Sequence, residues 1–150
     1  LRKAARAMED GTRKMMDELI ERSGNAYVCS VDEAGYPLVK CMFARGKSGN
    51  RFYFSSNLSS RRAGQFLRNP KSSVYFCDEA NFQAVLLSGE MEVLTDLDHR
   101  RMIWREGDEQ YYPAGVEDAD YCVLRLTARR GRCYLFHAQE DQVIMEDFEL

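Results

Sequence analysis

The order of segments along the chain predicts a mainly β fold: a closed or nearly closed antiparallel barrel of six to seven strands with flanking helices. Three observations carry that expectation. Apolar residues recur with period two in about seven short segments between residues 24 and 137. Gly, Asn, Asp and Pro separate many consecutive segments by only a few residues, which is hairpin spacing and too short for parallel crossovers. Helical periodicity is confined to the start of the chain and to two short excursions.

Residues 2–22 place Ala4, Ala7, Met8, Met15, Leu19 and Ile20 at helical spacing among charges. Gly11-Thr12 is an expected interruption, and Ser23-Gly24-Asn25 supplies the stop. Strands are then expected over 26–31 and 36–45, joined by the tight turn Asp32-Glu-Ala-Gly35, with Pro37 tolerable near a strand start. A turn at 47–50 leads to a third strand, 51–55. Ser59–Arg68 reads as a helix on the stripe Ala63, Phe66, Leu67, closed by Asn69-Pro70. Strands over 72–77 and 82–94 follow, then a helix over 96–106 with Met102, Ile103 and Trp104. Two last strands, 121–126 and 132–137, are expected on either side of a basic turn, Ala128-Arg-Arg-Gly131.

A chain of 150 residues, 45% hydrophobic and 30% charged, has the length and balance of one folded domain. The expected organisation is a helix over 2–22, a barrel over about 24–137 and an acidic tail over 138–150. No apolar run of about 18 residues exists, so no membrane span is expected. A net charge of −3 gives nucleic-acid binding no support. The basic amino end lacks the apolar run of a secretory signal, although the chain does not start with Met and residues can precede Leu1. Cys29, Cys41, Cys77, Cys122 and Cys133 are scattered and odd in number, with no zinc or C-x-x-C spacing. Four of them sit in apolar runs that read as strands, where a thiol behaves as a small buried hydrophobe, and a reducing cytoplasm fits best.

The segment richest in chemistry is Phe54-Ser-Ser-Asn-Leu-Ser-Ser-Arg-Arg-Ala-Gly-Gln-Phe-Leu-Arg-Asn-Pro70. A strand ends in the hydroxyls of Ser55 and Ser56, and a short loop enters a helix whose first turn holds Arg61 and Arg62. Helix amino ends carry unpaired N–H groups and partial positive charge, so hydroxyls and guanidinium groups added there make a phosphate site. The same residues also read as an ordinary helix capped by Ser59 with its arginines in water. Lys40 shares a strand face with Tyr36, Leu38 and Met42, where it either snorkels to solvent or pairs with an anion. Elsewhere the signals are weak. His99 reads as a surface residue, no metal-ligand cluster is expected, and no nucleophile–base motif is present. Trp104, Tyr111 and Tyr112 read as core or interface aromatics.

The segments "VDEAGYPLVKCMF", "FYFSSNLSSRRAGQFLRNP", "VLLSGEMEVLTD" and "YYPAGVEDADYCVLRL" together resemble the pyridoxamine 5′-phosphate oxidase-like family of FMN-binding split β-barrels, in particular its small general stress protein relatives. The resemblance covers about residues 24–136. It implies that Lys40 contacts the FMN phosphate or ribityl chain and that Cys41 and Met42 lie beside the flavin ring. It implies that Ser55 and Ser56 bind the ribityl–phosphate region and that Arg61 and Arg62 clamp the phosphate. Gln83 lies near a family glutamine that reaches the flavin from the neighbouring subunit, and the expected assembly is a homodimer with FMN at its interface.

Two departures bear on the reaction. The family's oxidase proper grips its substrate with a carboxy-terminal Arg and His, whereas this chain carries the acidic stretch "EDQVIMEDFEL", which would repel a phosphate ester. The family's usual Asp-Pro is Asp118-Ala119 here. The implied function is a flavin-dependent oxidoreductase of a small substrate, other than vitamin B6 oxidation, with the flavin doing the chemistry and no side chain marked as catalytic. The alternatives are a protein that binds flavin without turnover, or a split barrel holding F420 or haem, for which His137 is the candidate ligand.

Overall fold

A computed structural model describes residues 2–134 and 142–146 of the chain, with side-chain detail for 11–134. In chain order the elements are α1 (Arg2–Arg22), β1 (Asn25–Val31), β2 (Pro37–Ser48), β3 (Arg51–Asn57), α2 (Arg61–Arg68), β4 (Lys71–Asp78) and β5 (Gln83–Leu94). There follow α3 (Leu97–Ile103), two 3-10 turns (Asp108–Gln110 and Gly115–Glu117), β6 (Tyr121–Tyr134) and β7 (Gln142–Glu146). The strands pair antiparallel in the order β3-β2-β1-β4-β5-β6-β7, and β3 also pairs with β6. That extra pairing closes six strands into a barrel. The long β6 serves two partners: residues 121–127 close the barrel on β3, and residues 130–133 carry β7. The expected mainly β antiparallel barrel is the fold observed.

Period-two patterning puts Val28, Phe54, Val74, Phe76, Val85, Leu87, Met91, Leu124 and Leu126 on the inner face, fully or almost fully buried, and α1 adds Met16, Leu19 and Ile20. Each such side chain contributes about 1.5–3 kcal/mol of burial free energy. A second cluster lies outside the barrel, where the excursion over 95–120 covers Tyr53, Tyr121 and Val123 with Ile103, Trp104 and Tyr112. Trp104 meets Tyr121 edge-on at 5.3 Å, and Tyr112 lies 4.3 Å from Tyr121. Trp104 and Tyr112 are therefore core aromatics, while Tyr111 is exposed.

The structure corrects several details. Helix α1 runs through Gly11-Thr12 without a break, since one glycine costs a long helix only about 1 kcal/mol. Within it Met16, not Met15, enters the core. Ala128–Gly131 is no turn: β6 is continuous, and the pairs Ser88–Arg130 and Gly89–Ala128 make Arg129 one extra residue, a β-bulge. Residues 142–146, expected in the acidic tail, form β7 on residues 130–133 at the far end of β6. Two of the five thiols, Cys122 and Cys133, are buried; Cys29 and Cys77 are half-buried and Cys41 is exposed.

Candidate functional site

Strand β3 ends at Asn57, and Leu58 and Ser59 carry the chain to Ser60, the N-cap of α2. The Ser60 hydroxyl accepts from the Ala63 N–H at 3.1 Å, so Ser60 is the cap and Ser59, the expected one, is not. Capping leaves the N–H groups of Arg61 and Arg62 without partners inside the helix. The Ser56 hydroxyl lies 3.5 Å from that of Ser60, too long for a good O–H···O bond. Two hydroxyls and two N–H groups therefore converge on the amino end of α2. The helix packs on β1, where the Ser30 hydroxyl donates to Gln65 Oε1 at 2.7 Å.

The electrostatics of α2 are uneven. Arg68 in its last turn pairs with Glu33. Arg61 is exposed and Arg62 half-buried, and neither has a carboxylate partner among the described residues. Burial without a counter-ion pushes the Arg62 guanidinium below its ordinary pKa. An anion at this helix end would relieve that penalty, and a phosphate matches the donors present. These residues fit the phosphate of a nucleotide cofactor.

Register places the remaining expected residues. Lys40 pairs with Val28 on the face that carries Met42 into the core, and Leu38 pairs with Ser30, the residue beneath α2. Because β2 and β3 are antiparallel, the path from Ala44 down to Lys40 runs alongside the path from Phe54 towards Ser56. Lys40 and Ser56 thus lie on the same side of the sheet as Met42 and Phe54, and Lys40 is exposed there. Cys41 points to the outer face opposite Tyr27. Ser55 turns away from Ser56: it pairs with Val123, on the face of β3 and β6 that carries Tyr53 and Val123 into the second cluster. Gln83 lies at the far end of β5, where its Oε1 accepts from Arg22, well away from α2 within the same protomer.

Two features have no signal in the local sequence. The Asp120 carboxylate accepts from the Ser59 N–H at 2.7 Å, the Ser59 hydroxyl at 2.8 Å and the Asn57 amide at 2.8 Å. Those bonds, led by the Asn57 amide, hold its carboxyl below the usual carboxylate range. Arg45, at the bulge where Gly46 has φ 129°, forms a buried ion pair with Asp108 at 2.7 Å. Histidine 99, expected on the surface, is half-buried, with Nδ1 2.8 Å from Asp96 and Nε2 3.4 Å from Arg125. His137 lies outside the described residues.

An open trough of about 790 Å³ runs over the other side of β1, β4 and β5, lined in part by Cys29, Ser73, Ser88, Lys71 and Arg130. It is distinct from the α2 end within one protomer.

The model of the pyridoxamine 5′-phosphate oxidase family matches residues 12–134. This chain belongs to that family. Within the family, the chain is 37% identical over 105 residues to the pyridoxine/pyridoxamine 5′-phosphate oxidase of Shewanella frigidimarina, covering 70% of this chain and 50% of that protein. It spans half or less of the length of the curated oxidases it matches. Among solved structures, a Clostridium acetobutylicum protein related to general stress protein 26 superposes with a TM-score of 0.79 at 33% identity, covering 90% of this chain and 94% of that one. A Nostoc punctiforme pyridoxamine 5′-phosphate oxidase-related, FMN-binding protein shares the fold, with a TM-score of 0.66 at 12% identity over 87% of this chain and 88% of that one.

Proposed function

We propose that this chain binds FMN, with the phosphate at the amino end of α2, and works as a flavin-dependent oxidoreductase on a small substrate. The observation that carries the reading is Arg62, half-buried without a carboxylate at a capped helix end in a member of this family. FMN, when bound, supplies the hydride chemistry. The chain's own residues have simpler tasks. Arg61 and Arg62 neutralise the phosphate, Ser56 and Ser60 donate hydroxyl hydrogen bonds, and Lys40 adds positive charge along the ribityl path. Cys41 and Met42 flank the ring through their backbone, and Ser55 supports the strand end from the opposite face.

Vitamin B6 oxidation fits less well, because the sequence over 138–150 carries Glu140, Asp141, Glu146, Asp147 and Glu149 and none of the Arg and His with which the family's oxidase proper grips its phosphate ester. Assembly as a homodimer with shared cofactor sites fits the outer sheet face, where Val39, Cys41 and Phe43 are exposed beside Tyr27 and Tyr75. In such a dimer the Gln83 end of β5 would serve the partner's site.

The absorbance spectrum of the purified chain after incubation with FMN and desalting tests the cofactor. Flavin bands are expected; a Soret band, or F420 taken up in preference, would replace FMN in the reading. Reduction of the bound flavin by NAD(P)H with continued turnover on an acceptor separates an oxidoreductase from a flavin-storing protein. Removing both charges in Arg61→Ala/Arg62→Ala should weaken FMN binding by about 2–4 kcal/mol, since charge-assisted bonds contribute roughly 1.5–3 each. The double variant should melt no lower than the parent, as neither arginine holds an ion pair among the described residues.

A further inference from the structure

We infer that Asp120 is the positioning residue of the phosphate loop, holding Asn57–Ser59 in the shape that presents Ser56, Ser60 and the arginines of α2 to an anion. The inference rests on the FMN reading above and adds a residue to it. Asp120 makes four bonds to three consecutive residues. Besides the three at its carboxylate, its backbone carbonyl accepts from the Leu58 N–H at 2.6 Å. The loop also carries an internal turn bond, Ser60 N–H to Asn57 carbonyl at 3.0 Å, and Asn57 pairs with Tyr121 in the β3–β6 ladder.

Asp120 is itself firmly placed. Its N–H donates to Asp118 Oδ1 at 3.0 Å, and Tyr121, the next residue, is fully buried. Arg100, a largely buried side chain of α3, donates to the Asp118 carbonyl at 3.0 Å. The excursion over 95–120 is thereby coupled to the α2 entrance through Asp120, by its carboxylate and its backbone carbonyl.

The charge of Asp120 is the wrong sign for a direct role. A carboxylate flanking a phosphate site opposes anion binding through space, so charge removal alone would tighten it. Here its lone pairs are taken by loop donors, and preorganisation is what it can supply. The two roles predict opposite signs, which makes the inference testable.

The experiment titrates FMN and riboflavin, which lacks the phosphate, into the parent, Asp120→Ala, Asp120→Asn and Ser59→Ala, reading flavin fluorescence. Amide exchange at Ser59 is followed by NMR in the flavin-free chain. Asp120→Ala should weaken FMN by about tenfold or more while riboflavin affinity is kept, and Ser59 exchange should accelerate. Ser59→Ala, which removes the hydroxyl donor but keeps the N–H donor and changes no charge, should shift FMN affinity in the same direction by less. Tighter FMN binding by Asp120→Asn overturns the positioning role, as do equal losses for FMN and riboflavin. Faster Ser59 exchange with unchanged FMN affinity overturns that role alone. A parent chain that takes up no FMN overturns the functional reading beneath it.

Discussion

Adjacent residues in a strand belong to different environments, and Ser55 and Ser56 show the consequence. Ser56 faces the α2 entrance while Ser55 lies on the opposite face, alongside Tyr53 and Val123 of the aromatic cluster, so a pair that reads as one motif occupies two environments. Burial on the two faces of β6, Tyr121 in the aromatic cluster and Cys122 opposite Ser56, sets a titration prediction. Burial, first of all, pushes the Cys122 thiol and the Tyr121 hydroxyl each up to about 12. In the unfolded chain these groups lose their protons nearer their ordinary values, roughly 8.5 and 10. From those values up to about 12 the unfolded chain holds fewer protons than the folded one, so stability falls as pH rises. The urea midpoint should be flat near neutrality and fall above about pH 9, less steeply in Cys122→Val. A midpoint unchanged into strongly alkaline solution would contradict the burial of both groups.

At the scale of elements, the two bulges decide where side chains and strands go. The bulge in β2 turns Arg45 into the buried pair with Asp108 and so pins the excursion that carries Asp120. The bulge in β6 brings its backbone against β5. A Cβ on Gly89 would lie 2.0 Å from the Thr127 carbonyl oxygen, a backbone atom that cannot move without breaking the ladder. Gly89→Ala should therefore cost about 3 kcal/mol or more, read as a drop in thermal midpoint. An alanine variant as stable as the parent would show that β5 and β6 are less closely apposed. A basic, glycine-containing stretch reads as a turn in sequence because turns and bulges use the same residue types. Only the presence of β5 alongside all of β6 selects the bulge.

For the whole molecule, the barrel buries its inner face and one outer patch, leaving the outer face of β2, β1 and β4 uncovered in the single chain. Val39 is 63% exposed there and Phe43 52%. If a second copy covers this face and completes the flavin site, Val39→Glu should shift the parent dimer to monomer in sedimentation and lose FMN in parallel. The substitution lies on an exposed position opposite Cys29, so the monomer should stay folded by circular dichroism. A folded Val39→Glu monomer that keeps FMN would separate cofactor binding from assembly.

The sequence by itself determined what depends on neighbours along the chain. Alternation marked the strands, Asn69-Pro70 ended α2, and hydroxyls followed by Arg61-Arg62 marked a helix end suited to phosphate. These are short-range matters of steric preference, hydrogen-bond supply and charge. The tertiary structure decided which of those residues meet: Ser60 rather than Ser59 as cap, Ser55 on the opposite face, and Arg62 half-buried without a carboxylate. It also decided that Asp120, more than sixty residues downstream of Ser59, ties down the loop. Closure of β3 on β6 pairs Asn57 with Tyr121 and brings these segments together. A contact of that range leaves no period or local motif, because it is made by the closing of the barrel and not by the chain on either side of it.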